Sequence, residues 1–245
     1  MSVILHSAIP EALTGNAALP GTRPCDPDDW LRVDEVYAPQ MAYRAALLRD
    51  KRAAVLFAPD DALDPARELL EETLAILPVK GFTVAGGTVG CPDGREVQID
   101  RNAPLLTLGH LVQEDLCILE KRGSEHVLTG AALCFPASWR LADKVGRPLT
   151  TIHDPVPAYD GNIAARVQRL FDGVQVGRPL WRFNRLRYAD PDLHQPVRQD
   201  PDAPRPYHRS ERQCILRLPR TQAVVFTIHT YVVGDPAIAS PAPPR

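Results

Sequence analysis

The chain carries few cysteines and none of the short motifs that announce a nucleotide. Its five, Cys25, Cys91, Cys117, Cys134 and Cys214, are odd in number, widely spaced and without a C-x-x-C pair. That spacing argues against a disulfide framework, a zinc site and an iron–sulfur cluster, and leaves reduced, mostly buried thiols. No G-x-G-x-x-G follows a strand and no P-loop is present, so nothing here should bind NADPH. A formal net charge of -2 offers no handle for a polyanion, and nucleic acid is not an expected partner. No run of apolar residues is long enough to span a bilayer, and the start, MSVILHSAIPEAL, lacks a basic region and a long apolar stretch. The expectation is a cytoplasmic protein with no membrane partner.

Proline, by contrast, is abundant, with 25 residues gathered in the head, in a loop near 190–207 and at the tail. Proline lacks an N–H donor and restrains its predecessor, so these stretches should be extended or turned. We read residues 1–31 as an N-terminal arm, 32–235 as one domain with a helical N-terminal part, and 236–245 as a disordered tail. The 44% hydrophobic and 24% charged fractions are those of a globular chain able to bury a sizeable core.

Between these punctuations the hydrophobic period changes several times. Tyr37, Met41, Ala45 and Leu48 predict a helix over residues 37–50, and a second is expected over 65–77 with Asp64 as its cap. Residues 82–99 flank a Pro-Asp-Gly turn and read as a hairpin. Leu105, Leu108, Leu111, Val112, Leu116 and Leu119 make an apolar stripe that predicts a partly helical 104–120, with Glu114 and Asp115 as a solvated acidic pair. A strand follows over 125–135, then a short helix over 137–146 closed by Gly146. Three more strands are expected at 179–189, 210–218 and 223–233, the last two paired antiparallel across the turn PRTQ.

The most informative segment is 146–174, GRPLTTIHDPVPAYDGNIAARVQRLFDGV, which sets His153 between an extended stretch and a helix. Pro148, Pro155 and Pro157 restrict the backbone there, so the ring could be held against a metal or cofactor on the sheet. The competing histidines are less well placed. His6 lies in the arm, His194 and His208 in or beside the proline-rich loop, and His126 after a charged turn, where it reads as solvent-facing. His110 and His229 read as hydrogen-bonded core residues. The whole order is an α+β plan with one antiparallel sheet and helices over its concave face. It is similar to a PAS domain, a five-stranded antiparallel sheet with flanking helices, here with an N-terminal extension. VGRPLTTIHDP resembles the G-x-P-L stretch that enters the central helices of PAS sequences.

Five phrases in one order carry a more specific likeness: VQEDLCIL, CFPASWRLADKVGRPLTTIHDPVPAY, WRFNRL, RSERQCILRLPRT and VFTIHTYV, spanning about residues 77–231. They resemble the α subunit of haem-dependent oxidative N-demethylases. The chain departs from that pattern at Asn184-Arg185, where the family often has NW, and in the ASPAPPR that stands where a further helical segment is usual.

The resemblance implies haem b with His153 as the iron ligand; Lys144 and Arg147 are candidate cations for its propionates, or solvated charges beside the glycine turn. Asn184 and Arg212 would be the catalytic polar residues of the late strands. By alternation Arg212 shares a face with Cys214, Leu216 and Leu218, away from Glu211 and Gln213. A buried arginine needs an anionic partner, whether bound oxygen, a propionate, or Glu114 or Asp115. The implied reaction is a monooxygenase-type removal of a methyl group from a small secondary amine such as dimethylamine, using dioxygen and NADPH. The electrons would come from reductase subunits carrying FMN and a 2Fe-2S cluster, and a folate-binding subunit with tetrahydrofolate would take up the one-carbon product. A non-enzymatic PAS-type haem module that senses a gas is the alternative, and a flavin-binding or purely structural PAS-like subunit is a third reading.

Overall fold

The computed structural model describes residues 3–14, 21–153 and 161–235. Its helices are α1 (Tyr37–Asp50), α2 (Arg52–Val55), α3 (Leu63–Ile76), α4 (Pro104–Leu111), α5 (Leu149–His153) and α6 (Gly161–Gly173). The strands are β1 (Arg23–Pro24), β2 (Leu56–Phe57), β3 (Thr83–Ala85), β4 (Thr88–Gly90), β5 (Glu96–Gln98), β6 (Asp115–Arg122), β7 (Glu125–Ala132), β8 (Leu180–Tyr188), β9 (Tyr207–Arg217) and β10 (Val224–Gly234). The expected disordered tail lies outside the described residues.

The fold is α+β. One antiparallel sheet runs β1-β8-β9-β10-β6-β7-β2, and β3-β4-β5 form a second, three-stranded sheet from the expected hairpin region. The main sheet thus has seven strands where five were expected: five long ones, with a two-residue strand added at each edge.

Helix α1 has the predicted bounds, because Tyr37, Met41, Leu47 and Leu48 bury one stripe. Helix α3 starts two residues earlier than expected, with Asp64 inside its first turn and no side-chain cap. A larger correction concerns residues 104–120. The helix stops at Leu111, Val112 is extended, and β6 begins at Asp115. Residues 137–146 form no α-helix, only a single 3₁₀ turn at Leu141–Asp143, although Gly146 does close the segment at φ 71°. Helix α4 presses on α1 at Gly109, where a Cβ would lie 2.9 Å from Leu48 Cδ1.

The sheet is covered on both sides, so β9 is buried along most of its length. Cys214, Leu216, Val225, Leu116 and Ile118 face α1, α3, α4 and the segment around Trp30 and Leu31. On the other face Ile215, Val224, Ile228, Cys117 and Leu119 meet Leu141, Leu149 and Phe171 of the 141–173 segment. Truncating any of these fully buried leucines to alanine removes about 2–5 kcal/mol of stability.

Candidate functional site

The residue of greatest interest, His153, ends α5, so the stretch leading into it is helical and not extended as expected. Its side chain lies outside the described residues. What surrounds α5 is clear. Leu149 and Ile152 pack on the sheet with Val167, Leu170 and Phe171 of α6. Thr150 Oγ1 donates to Glu125 Oε1 at 2.6 Å, fastening the helix to β7. Lys144 Nζ donates to the Ile152 carbonyl, one residue before His153, so this cation secures the backbone that carries the ring. Arg147 is exposed, and its carbonyl accepts the Leu128 N–H at 3.1 Å.

The two late-strand candidates do not come together. Register pairs Phe183 with Arg212 and Asn184 with Glu211, so the guanidinium and the amide lie on opposite faces. Arg212 points toward the N-terminal segment, sharing a face with Cys214 as alternation predicted. Its anionic partner there is Asp29 at 2.8 Å, not Glu114 or Asp115, and it also donates to the Asp29 carbonyl at 2.7 Å.

Asn184 faces the α5–α6 side, within a polar chain that alternation alone did not reveal. Its Nδ2 donates to Glu211 Oε2 at 2.7 Å, and its Oδ1 accepts the Glu211 N–H at 3.1 Å. Glu211 is buried and also accepts Arg209 Nε at 3.0 Å and Gln213 Nε2 at 3.2 Å. Gln213 Oε1 in turn accepts from Arg182 Nη1, and Arg182 Nε is buried with no hydrogen-bond partner among the described residues. Burial pushes the Arg182 guanidinium below its ordinary pKa, against the opposing charge of Glu211. Further along this face Tyr188 OH meets Ser138 Oγ at 2.9 Å, and Ser138 holds a left-handed φ of 65°. Such a conformation costs about 1–3 kcal/mol in a residue other than glycine and persists where surrounding contacts fix it.

The expected solvated acids are both buried. Asp115 Oδ1 accepts Arg44 Nη1 and the Cys134 N–H, each at 2.7 Å, and Oδ2 accepts the Phe135 N–H at 2.8 Å. Glu114 Oε1 lies 2.9 Å from His229 Nδ1, while His229 Nε2 lies 2.9 Å from Asp34 Oδ2. His6 Nε2 reaches the same Asp34 oxygen at 2.8 Å. His6, Asp34 and His229 therefore sit at metal-ligand spacing. Their hydrogens speak against that role. The Val232 N–H donates to His6 Nδ1, so the His6 proton is on Nε2, facing the carboxylate. Both His229 nitrogens face carboxylates as well. His126, expected at the surface, is buried, with Nδ1 2.9 Å from Gln168 Nε2 of α6. A cleft of about 580 Å³ lined by Arg32, Asp34, Lys80 and Tyr231 opens on the N-terminal side of the sheet, away from α5.

The α5-facing side thus presents what a haem needs from a protein: an apolar bed, a helix ending in a histidine, and a half-buried cation whose Nε is a donor to spare. The residues fit the group. No helix among the described residues is long and apolar enough to cross a membrane. The family model of haem-dependent oxidative N-demethylase, alpha subunit-like proteins matches residues 21–241, a longer span than the recognised phrases and one that takes in every strand of both sheets, and the chain belongs to that family.

Proposed function

We propose that this chain is the haem-binding, oxygen-using subunit of a cytoplasmic oxidative N-demethylase with a PAS-like fold. Its substrate would be a small secondary amine such as dimethylamine. Electrons would derive from NADPH through partner subunits carrying FMN and a 2Fe-2S cluster, with a tetrahydrofolate-binding subunit taking up the one-carbon product. The family membership supports the haem and the reaction class. The observation that carries the site is Arg182, a half-buried side chain on the α5 side whose buried Nε is unpartnered among the described residues.

In this reading His153 holds the iron, and Leu149, Ile152, Phe226 and Ile228 exclude water around it. Bound haem supplies a redox-active iron at which oxygen is activated. Arg182 Nε and the second Nδ2 hydrogen of Asn184 are the donors available to negative charge on a ligand. Lys144 acts by fixing the carbonyl of Ile152, and Arg147 stays at the rim as a cation for a propionate. A small secondary amine arrives as an ammonium ion and needs an acceptor. Glu211 is the carboxylate in this network, and its 3.2 Å contact with Gln213 is the longest of its side-chain bonds and the first an ammonium would replace.

The test is spectroscopic. The purified protein, expressed with haem supplied, should show a Soret band that disappears in His153→Ala and shifts on adding dimethylamine. A protein that takes up no haem overturns the proposal. Haem without amine-dependent oxygen consumption, in the presence of a competent reductase, would favour the gas-binding alternative.

A further inference from the structure

The other face of β9 holds a chemical arrangement unrelated to α5. Arg212 Nη1 lies 2.9 Å from Cys214 Sγ and Nη2 lies 3.3 Å from Cys25 Sγ, so one planar guanidinium spans two thiols. Asp29 fixes the guanidinium from one side at 2.8 Å, and the Trp181 ring lies 5.2 Å from its carbon. The two thiols thus share one cation. Cys25 follows edge strand β1 and reaches this position because the chain turns there and crosses the sheet. Its N–H donates to the Pro179 carbonyl at 2.9 Å.

We propose that Cys25 and Cys214 form a thiol pair that a hydroperoxide oxidises to a disulfide, with Cys25 as the attacking thiol and Cys214 as the resolving one. Exposure assigns the roles, since Cys25 is 9% accessible and Cys214 1%. The acidities agree. The hydrogen bond from Cys214, aided by the charge of Arg212 and opposed by burial, lowers Cys25 to about 7. The same bond, and then burial, raises Cys214. A thiolate is the nucleophile in such chemistry, and a cation beside it favours that form. The remaining cysteines are shifted the other way: burial raises Cys91 and Cys117, and pushes Cys134 up to about 12.

The step balances as follows. The Cys25 thiolate attacks one oxygen of hydrogen peroxide, the O–O bond breaks, and hydroxide leaves and is protonated to water. Cys214 then attacks the sulfenic sulfur, the S–O bond breaks, and the Cys214 proton leaves with that hydroxyl as a second water. Two thiols lose two electrons and one peroxide is reduced to two waters. The product covalently fastens the segment after β1 to the centre of the sheet.

The experiment treats the full-length protein with hydrogen peroxide and follows intact mass and peptide maps. The expected result is a loss of about 2 Da, the two thiol hydrogens, in a single Cys25–Cys214 linked peptide pair that dithiothreitol reverses. Cys214→Ser should stop at a sulfenic acid on Cys25 that dimedone traps, and Cys25→Ser should leave Cys214 alkylatable after denaturation. Arg212→Met, if its circular dichroism is native, should slow the reaction about tenfold at neutral pH. Either of two results overturns the proposal. One is a native protein inert at peroxide levels that oxidise free cysteine. The other is oxidation that spreads to Cys91, Cys117 and Cys134 or ends on Cys25 as a sulfinic acid with Cys214 untouched.

Discussion

His229 Nε2 lies 2.9 Å from Asp34 Oδ2, a bond that joins the last strand of the sheet to the loop entering α1. Burial alone would depress the imidazolium, but the charges and hydrogen bonds of Glu114 and Asp34 raise it to about 9. For Asp34 burial acts upward, and hydrogen bonds from His229 and His6 outweigh it, holding the carboxyl far below the usual range.

The two shifts act at opposite ends of the pH scale. A raised histidine contributes stability that is complete below its unfolded value of about 6.5 and is lost as pH rises through about 9. The contribution is on the order of 3 kcal/mol. A depressed carboxylate contributes above its unfolded value of about 4 and is lost as pH falls below it. Urea midpoints measured across this range should therefore form a dome. In His229→Gln the alkaline decline should flatten, and an unchanged decline would place its origin elsewhere.

Removing His229 outright leaves Asp34 and Glu114 facing each other across a buried gap. His229→Leu should lose about 3–5 kcal/mol at neutral pH, the usual consequence of stripping a buried charge of its partner. A loss under about 1 kcal/mol, read from denaturant titration, would mean the acids relax to water.

Asp115→Ala should be comparably damaging, by about 3–5 kcal/mol, because it strands Arg44 together with the Cys134 and Phe135 amides. Adding Arg44→Met should recover part of that loss, since the second change removes a buried cation that no longer has a counter-charge. A strictly additive double mutant would show that the two side chains do not interact.

Arg182 and Arg212, two residues on adjacent strands, should respond differently to the same change. Arg212→Leu breaks the bond to Asp29 and should lower stability by about 2–3 kcal/mol, while the Soret position stays fixed. Arg182→Leu should change stability by less than about 1 kcal/mol, because no carboxylate contacts it among the described residues, yet alter ligand-dependent spectra. The reverse pattern would move the functional arginine to the other face.

Lys144→Met should leave the denaturant midpoint within about 1 kcal/mol while haem dissociates faster, since the hydrogen bond that holds the Ile152 carbonyl is lost. Apomyoglobin capture of released haem measures this. An unchanged rate would separate Lys144 from the seating of α5.

The late strands were legible because their alternating side chains and the PRTQ turn are local signals, and α1 because its apolar stripe ends where the helix ends. Residues 104–120 were not. LLTLGHL and LCIL are both apolar, so the change from helix to strand at Val112 leaves no mark in a helical count. Glu114 and Asp115 looked solvated because the residues that bury them, His229 and Arg44, are 115 and 71 positions away. Alternation puts Arg212 and Glu211 on opposite faces, as the structure has them, but does not show that Arg212 pairs with Asp29 of the N-terminal segment and Glu211 with Asn184. In a strand covered on both faces the apolar residues mark one side as buried without showing that the polar side is buried as well. A signal is present: six polar or charged residues in the seven from Tyr207 to Gln213 are more than a solvated edge requires.

The N-terminal segment also sets an order of events in biosynthesis. The His6 amide bonds to Val232, and Arg23 and Pro24 pair with Trp181 and Leu180. Residues 6–24 therefore take backbone partners from β8 and β10, far along the chain, besides the nearer contacts of His6 with Asp34 and Ser7 with Glu35. Contacts of such separation form late and slowly. Until β8 and β10 are in place, Leu13 lacks Phe183 and Tyr231, the residues it packs against, and stays open to other chains.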